Sequence, residues 1–337
     1  MKRALVLFLI LNVSAAAGQP EPKVGERLPR RGDEIVVCGQ LYHTTTKVVL
    51  WMDPGGYDAY RVERPSAPRD RTEPKAQEPA KKKAAGAADR GSSRYGVRTR
   101  GLTRDQIERV RSRGWDVPLL QQVVDQFVIH FDARGTSRRC FQVLNQRGLS
   151  VQFMLDLDGT IYQTLDLKES AYHATIANSR SIGIEVANIG AYPLNNSSPL
   201  TRWYQPDSEG RIRIVDPEAE KASDPIDPAG GLRPIRGEKV VGSVQGQQLE
   251  QYDFTPQQYE ALAKLAATLC TVFPKIHCDY PRDEKGALIA HKVPAAQLER
   301  YQGILGHFHV QTNKVDPGPA FQWDRLIGDA RRLMPAR

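Results

Sequence analysis

The chain has 337 residues, 40% of them hydrophobic and 26% charged, with a formal net charge of +8. That length carries about two domains, the composition is that of an ordinary soluble globular protein, and a core of this size removes any need for a disulfide framework. The excess charge does not indicate nucleic acid, because no motif interleaves aromatic residues with the basic ones.

The first residues, MKRALVLFLILNVSAAAGQP, place Lys2 and Arg3 before an apolar run from Ala4 to Val13. These ten residues, all apolar but Asn12, are too few to span a bilayer as a helix. The small residues Ser14 to Gly18 offer an Ala-x-Ala cleavage site, so residues 1–18 read as a secretory signal peptide and the protein as exported, to the periplasm or outside the cell. No cysteine near the cleavage point indicates a lipid anchor, and no other segment is long and apolar enough to cross a membrane. Outside the cytoplasm Cys38, Cys140, Cys270 and Cys278 can pair, and three pairings are open. Cys270 with Cys278 is favoured by proximity, against buried free thiols.

Residues 19–64 contain a small β element. Within 34–62, Val36, Val37 and Val48 to Trp51 are strand formers, and Asp53-Pro-Gly-Gly is a turn. This element either packs on the main body or forms an accessory module. Residues 65–94 hold almost nothing to bury. Ser66 to Arg94 carries eight basic and four acidic residues, and the stretch reads as a disordered basic linker.

From Tyr95 to about 335 the pattern is mixed α/β. Gln126 to Asp132 alternates as a strand, and Thr136 to Gly148 has a cap, an apolar stripe and a terminal glycine, as a helix does. Val151 to Leu165 is a hairpin turning at Asp158-Gly159, and Arg180 to Asn188 is another strand. Thr255 to Cys270 begins with a Thr cap and Pro at the first helical position and continues at helical spacing. Gly303 to Val310, GILGHFHV, reads as a short strand. A polar, Pro/Gly-rich stretch at about 195–252 reads as an insertion holding one or two strands.

A hydrolytic zinc site needs about three protein ligands and one open position. The chain has seven histidines, and a lone histidine is more often structural. His130 lies in an apolar strand on the face opposite Phe127 and Ile129. Glu185 lies opposite Ile182, Ile184 and Val186, where a mid-sheet carboxylate must face water or a site. GHFHVQTNKVDPGP brings His307, Lys314 and Asp316 near a strand end.

In this combination the chain resembles the zinc-dependent N-acetylmuramoyl-L-alanine amidases of type 2, the family that includes peptidoglycan recognition proteins. The matching pieces are FVIHFDARG, LDGTIYQTLDLKESAYHA, NSRSIGIEVAN, TPQQYEALAKLAATL and GHFHVQTNKVDPGPAFQW, in family order across roughly 95–335. The resemblance implies an α/β fold with a mixed central β-sheet flanked by helices, a Zn2+ cofactor on one face of the sheet, and peptidoglycan or a muropeptide as substrate. It places the ligands on His130, His307 and Asp316, the catalytic glutamate on Glu185, the catalytic lysine on Lys314, and substrate contacts on His173 and Asn188. Glu185 would then move the water's proton and Lys314 would face the developing oxyanion.

The sequence departs from the family pattern in two places near the cleft. Phe131 and Asp132 follow the first ligand where a histidine or threonine is frequent, and Gln152 replaces a histidine on the strand before Asp158-Gly159-Thr160. One rivalry stays open. On a strand, His307 and His309 share a face, so His130, His307 and His309 compete with His130, His307 and Asp316. Binding of peptidoglycan without catalysis is the rival function. A general zinc peptidase is a third reading, without support because the chain has no H-E-x-x-H helix.

Overall fold

A computed structural model describes residues 24–25, 28–60, 94–218 and 231–335. The signal segment 1–18 lies outside the described residues, as does the basic stretch from 65 onward except its last residue, Arg94, which is buried. Residues from Gly32 onward make one compact unit. No helix among the described residues is long and apolar enough to cross a membrane.

The fold is α/β, built on a six-stranded mixed sheet. Its order is Gly303–Gly306, Gln126–Phe131, Ser181–Val186, Phe153–Leu155, Ile161–Gln163 and Val48–Leu50. Only the hairpin pair, Phe153–Leu155 with Ile161–Gln163, is antiparallel; the other four pairings are parallel. Parallel strands are covered on both faces, and here the two faces differ in chemistry.

Phe127, Ile129, Phe153, Leu155, Ile182 and Ile184 share one core with the helices Pro256–Val272 and Trp323–Leu333. The first of these starts as its sequence predicts: the Thr255 hydroxyl accepts the Gln258 N–H, the Gln258 side chain accepts the Thr255 N–H, and Pro256 opens the helix. It buries Leu262, Leu265 and Leu269, each worth about 1.5–3 kcal/mol when removed from water. On the other face, Met154 packs with Tyr57, Cys140, Leu144 and Val151 beneath the helix Ser137–Gln146. His130 and Glu185 stand on that face toward the strands' carboxyl ends, where open α/β sheets place ligands.

The N-terminal segment contributes to this sheet directly. Val48–Leu50 is its edge strand, parallel to Ile161–Gln163. The hairpin Glu34–Val37 with Gln40–His43 is tied to it by Gln163, whose side chain accepts the Val36 N–H and donates to the Val36 carbonyl, each at 2.8 Å. Asp166 receives the Cys38 and Gly39 N–H groups, also at 2.8 Å.

The 195–252 stretch contains the helix Ser198–Trp203, the strand pair Tyr204–Pro206 with Ile212–Ile214, and the hairpin Val240–Val244 with Gln247–Gln251. Leu200, Trp203, Tyr204, Ile214 and Leu232 form a satellite core with Leu157 and Ala187 of the main body. All four cysteines are thiols. Cys270 and Cys278 do meet, and a hydrogen bond from the pair lowers the Cys278 thiol's pKa against the opposing effect of burial.

Candidate metal centre

Strand register brings the candidate residues together. Glu185 pairs with His130 across adjacent parallel strands, and Gly306 pairs with Ile129 on the other side. The next residue after Gly306, His307, therefore emerges beside His130. At this point the structure corrects the sequence reading. The strand ends at Gly306, and His307–Val310 is a single helical turn. Glycine is required at the switch, since a Cβ on Gly306 would lie 2.7 Å from Pro317 Cδ.

The helical turn separates the two histidines that a strand would have aligned. His309 is fully buried, accepts the Gly306 N–H on Nδ1 at 2.8 Å and donates from Nε2 to the Ile289 carbonyl at 2.7 Å. Burial pushes its pKa down to about 3, so it stays neutral with both nitrogens engaged. His307 points instead toward His130, and the Phe308 N–H bonds the Asp316 carbonyl at 3.2 Å, closing the loop.

Three donor atoms converge there. His130 Nδ1, His307 Nδ1 and Asp316 Oδ2 lie 2.9 Å from one another in every pairing, and all three residues are buried. The far nitrogens are held as well: His307 Nε2 meets Gln311 Oε1 at 2.6 Å and His130 Nε2 meets His173 Nδ1 at 3.0 Å. With each Nε2 carrying the proton, both Nδ1 lone pairs and the carboxylate face one point. Three donor atoms that converge in a buried site could hold a metal ion, and two imidazoles with one carboxylate suit zinc. Burial, and the neighbouring His307, push the His130 pKa down to about 4. Burial opposes ionisation of Asp316, but the adjoining His307 and His130 imidazoles hold its carboxyl well below the ordinary range. His130 and Asp316 are thus biased toward the deprotonated forms a metal needs.

Glu185, Lys314 and Arg147 line the cavity around this triad, which has a volume of 220 Å³. Burial pushes the Glu185 pKa well up, and Asp316 and Asp132 push it further; Lys314 and Arg147 oppose. A second cavity of 600 Å³, lined by Asn178, Gln311 and Asn313 among others, shares Leu149, Tyr172, His173, His307 and Lys314 with the first. His173 stands at the junction, with both ring nitrogens bonded within the protein, Nδ1 to His130 and Nε2 to Ser181 Oγ at 3.3 Å.

Asn188 is not brought to the cleft, contrary to its expected substrate contact. It is buried, donates to the Tyr252 carbonyl and accepts the Gly190 N–H. Its local geometry serves the loop after the Glu185 strand. Gln152 likewise has an internal role, accepting the Gly183 N–H at 2.8 Å and donating to the Glu169 carbonyl at 3.0 Å.

Several positioning groups carried no sequence signal that was read. Gln311 stands four residues after His307, a spacing visible only once the segment is helical. Gln245, at the tip of the insertion hairpin, directs its side-chain amide at the carbonyls of Phe308 and Gln311, each at 2.9 Å, and of Lys314 at 3.3 Å. Gln251 donates to the Pro317 carbonyl and accepts the Ala320 N–H, each at 3.0 Å. The 240–251 hairpin therefore braces the loop that carries His307, Lys314 and Asp316.

Residues 120–319 match the family model described as N-acetylmuramoyl-L-alanine amidase. No curated protein sequence matches the chain. Similar solved structures include a selenomethionine AmpD derivative, 16% identical, covering 72% of this chain and 90% of that one with a TM-score of 0.32. The endolysin amidase LysCS from Clostridium intestinale URNW is 15% identical, with 64% and 88% covered and a TM-score of 0.32. The amidase AmiD from E. coli, in complex with anhydro-N-acetylmuramic acid-L-Ala-D-gamma-Glu-L-Lys, is 17% identical, with 63% and 58% covered and a TM-score of 0.34. The family match spans well over half of the sequence and encloses the whole converging set, and on that match the chain belongs to the N-acetylmuramoyl-L-alanine amidase family and is a peptidoglycan amidase.

Proposed function

We propose that the protein is an exported zinc hydrolase that cleaves the amide bond between the lactyl group of N-acetylmuramic acid and the L-alanine of the stem peptide. The observation that carries this reading is the convergence of His130 Nδ1, His307 Nδ1 and Asp316 Oδ2 beside Glu185, in a cleft within the family-matched region. Export rests on the apolar N-terminal segment with its small-residue cleavage site.

His130, His307 and Asp316 would hold the zinc, which when bound would supply Lewis acidity for the water and the scissile carbonyl. Glu185 accepts a proton from the attacking water and passes it to the departing alanine nitrogen. The water oxygen becomes bonded to the lactyl carbon, the carbon–nitrogen bond breaks, and the products are a lactyl carboxylate and a free amine. Glu185 must start ionised for this, and a cation at the triad offsets the burial that raises its pKa. The Lys314 ammonium, on the cavity wall, stabilises negative charge developing on the carbonyl oxygen. The second cavity, continuous through His173, gives the rest of the muropeptide a place to lie.

The test is incubation of the zinc-loaded protein with a muropeptide, followed by mass analysis. A peptide with a free N-terminal alanine and a sugar ending in a lactyl carboxylate are expected. A protein that holds zinc and binds the muropeptide but releases neither is a binding protein, and the hydrolase reading fails.

A further inference from the structure

We infer that His173 is a positioning residue of the metal centre: by accepting the His130 Nε2–H it holds His130 in the tautomer that presents Nδ1 to the metal. The inference rests on the proposed zinc site and goes beyond the substrate contact that the family resemblance assigns to this histidine.

A free imidazole carries its one proton on either nitrogen, and the hydrogen bond at one nitrogen decides what the other can ligate. His130 Nε2 lies 3.0 Å from His173 Nδ1, with the rings edge-on at 88°. His173 in turn has Nε2 at 3.3 Å from Ser181 Oγ. With a metal at the triad only one donor direction fits the chain: His130 donates to His173, and His173 donates to Ser181. The reverse direction would put a proton on His130 Nδ1, where His307 and Asp316 converge.

The surroundings are shaped for this ring. A Cβ on Gly183, two residues before Glu185 on the same strand, would lie 2.6 Å from the His173 imidazole, so a side chain there would displace it. The Asn178 carboxamide oxygen accepts the N–H groups of His173 and Ala174, at 3.1 and 2.6 Å. Arg98, fully buried, donates to the carbonyls of Leu167, Asn178 and Ser181, which bracket the segment carrying His173. Residues that orient a ligating histidine in this way change metal affinity by about 10–100-fold when removed. An imidazole acceptor adds no negative charge, so its contribution is orientation and tautomer.

Zinc dissociation constants, measured on metal-free protein by competition with a chromophoric chelator, test the inference without reference to activity. His173→Leu is expected to weaken zinc binding 10–100-fold. His173→Asn, whose side-chain oxygen stands where Nδ1 stands, is expected to stay within about threefold of the unaltered protein. The visible spectrum of the cobalt-loaded protein should shift in His173→Leu and not in His173→Asn. A folded His173→Leu with unaltered zinc affinity overturns the inference. If His173→Leu does not fold, His173→Gln decides, since its amide reaches the Nε2 position and leaves His130 without an acceptor: equal affinities for the Gln and Asn variants overturn the inference, and weaker binding by Gln supports it. Failure of the unaltered protein to bind zinc would sink the metal-centre reading itself, a different result from unaltered binding in the variants.

Discussion

Glu185 stands directly opposite His130 in the register of two parallel strands, so the proposed base and the first proposed ligand are fixed by the same backbone ladder. Rigid strands, rather than loops, set their separation. The buried Met154 continues the row on the far side of Glu185, and burial raises the glutamate's pKa.

Glu185→Gln therefore isolates the proton-transfer role. The amide keeps the shape and removes the base. The expected loss in kcat is about 10²–10⁴-fold, the usual contribution of a positioned acid–base group, with zinc content unchanged. Metal analysis beside single-turnover hydrolysis checks both halves. Full activity in the variant would remove Glu185 from the mechanism.

His307 and His309 should behave oppositely. His307→Ala removes a donor from the triad and is expected to abolish tight zinc binding. His309→Ala is expected to leave zinc affinity nearly unchanged while destabilising the fold, because it strips partners from the Gly306 N–H and the Ile289 carbonyl. Each buried group left unsatisfied costs about 1–3 kcal/mol. Urea unfolding and metal titration on the two variants separate the effects, and loss of zinc in His309→Ala would contradict the observed geometry.

This pair also shows where the sequence stops being informative. Gln126 to Phe131 and Ser181 to Val186 were legible as strands because both carry apolar alternation long enough to fix a period, and that alone put His130 and Glu185 on the correct face. HFHV alternates too, but four residues fit a strand end and one helical turn equally well. What decides is distant: Pro317 crowding Gly306, and Ile289 waiting for His309. Asn188 was misplaced for a similar reason, since its partners Tyr252 and Gln251 lie on the insertion's hairpin and the residue just beyond it, more than sixty positions away. The bracing by Gln245 was invisible because a glutamine at a hairpin tip reads as a solvated turn residue.

Gln245→Ala tests that bracing. The variant loses the amide that faces three carbonyls of the His307–Asp316 loop. The amide has two N–H groups to share among them, so at about 0.5–1.5 kcal/mol for each hydrogen bond lost a destabilisation of roughly 1–3 kcal/mol is expected, together with weaker zinc binding, since the loop carries two of the three proposed ligands. Hydrogen exchange across residues 307–316 should rise before global unfolding. Unchanged exchange in that segment would show that the hairpin merely rests on the loop.

Asp156 gives the fold a pH dependence separable from the metal centre. It is buried, accepts the Leu157 N–H at 2.9 Å, and bonds the Ser137 N–H at the start of the helix over the cleft. Burial pushes its pKa up to about 7, with Asp132 and Asp158 adding to the effect. Its folded-state pKa thus lies above the ordinary value of about 3.9. The stability it contributes is intact below about pH 4 and is lost as pH rises through about 7, because the folded protein then holds a buried carboxylate that the unfolded chain keeps in water. Asn resembles the protonated acid and does not titrate. The unfolding free energy of the unaltered protein should fall between pH 5 and pH 8 by about 2–4 kcal/mol more than that of Asp156→Asn, at roughly 1.4 kcal/mol per pKa unit. Urea titrations of both proteins across that range measure the difference. Parallel curves would mean that Asp156 titrates at its ordinary value, and that the solvent reaches it.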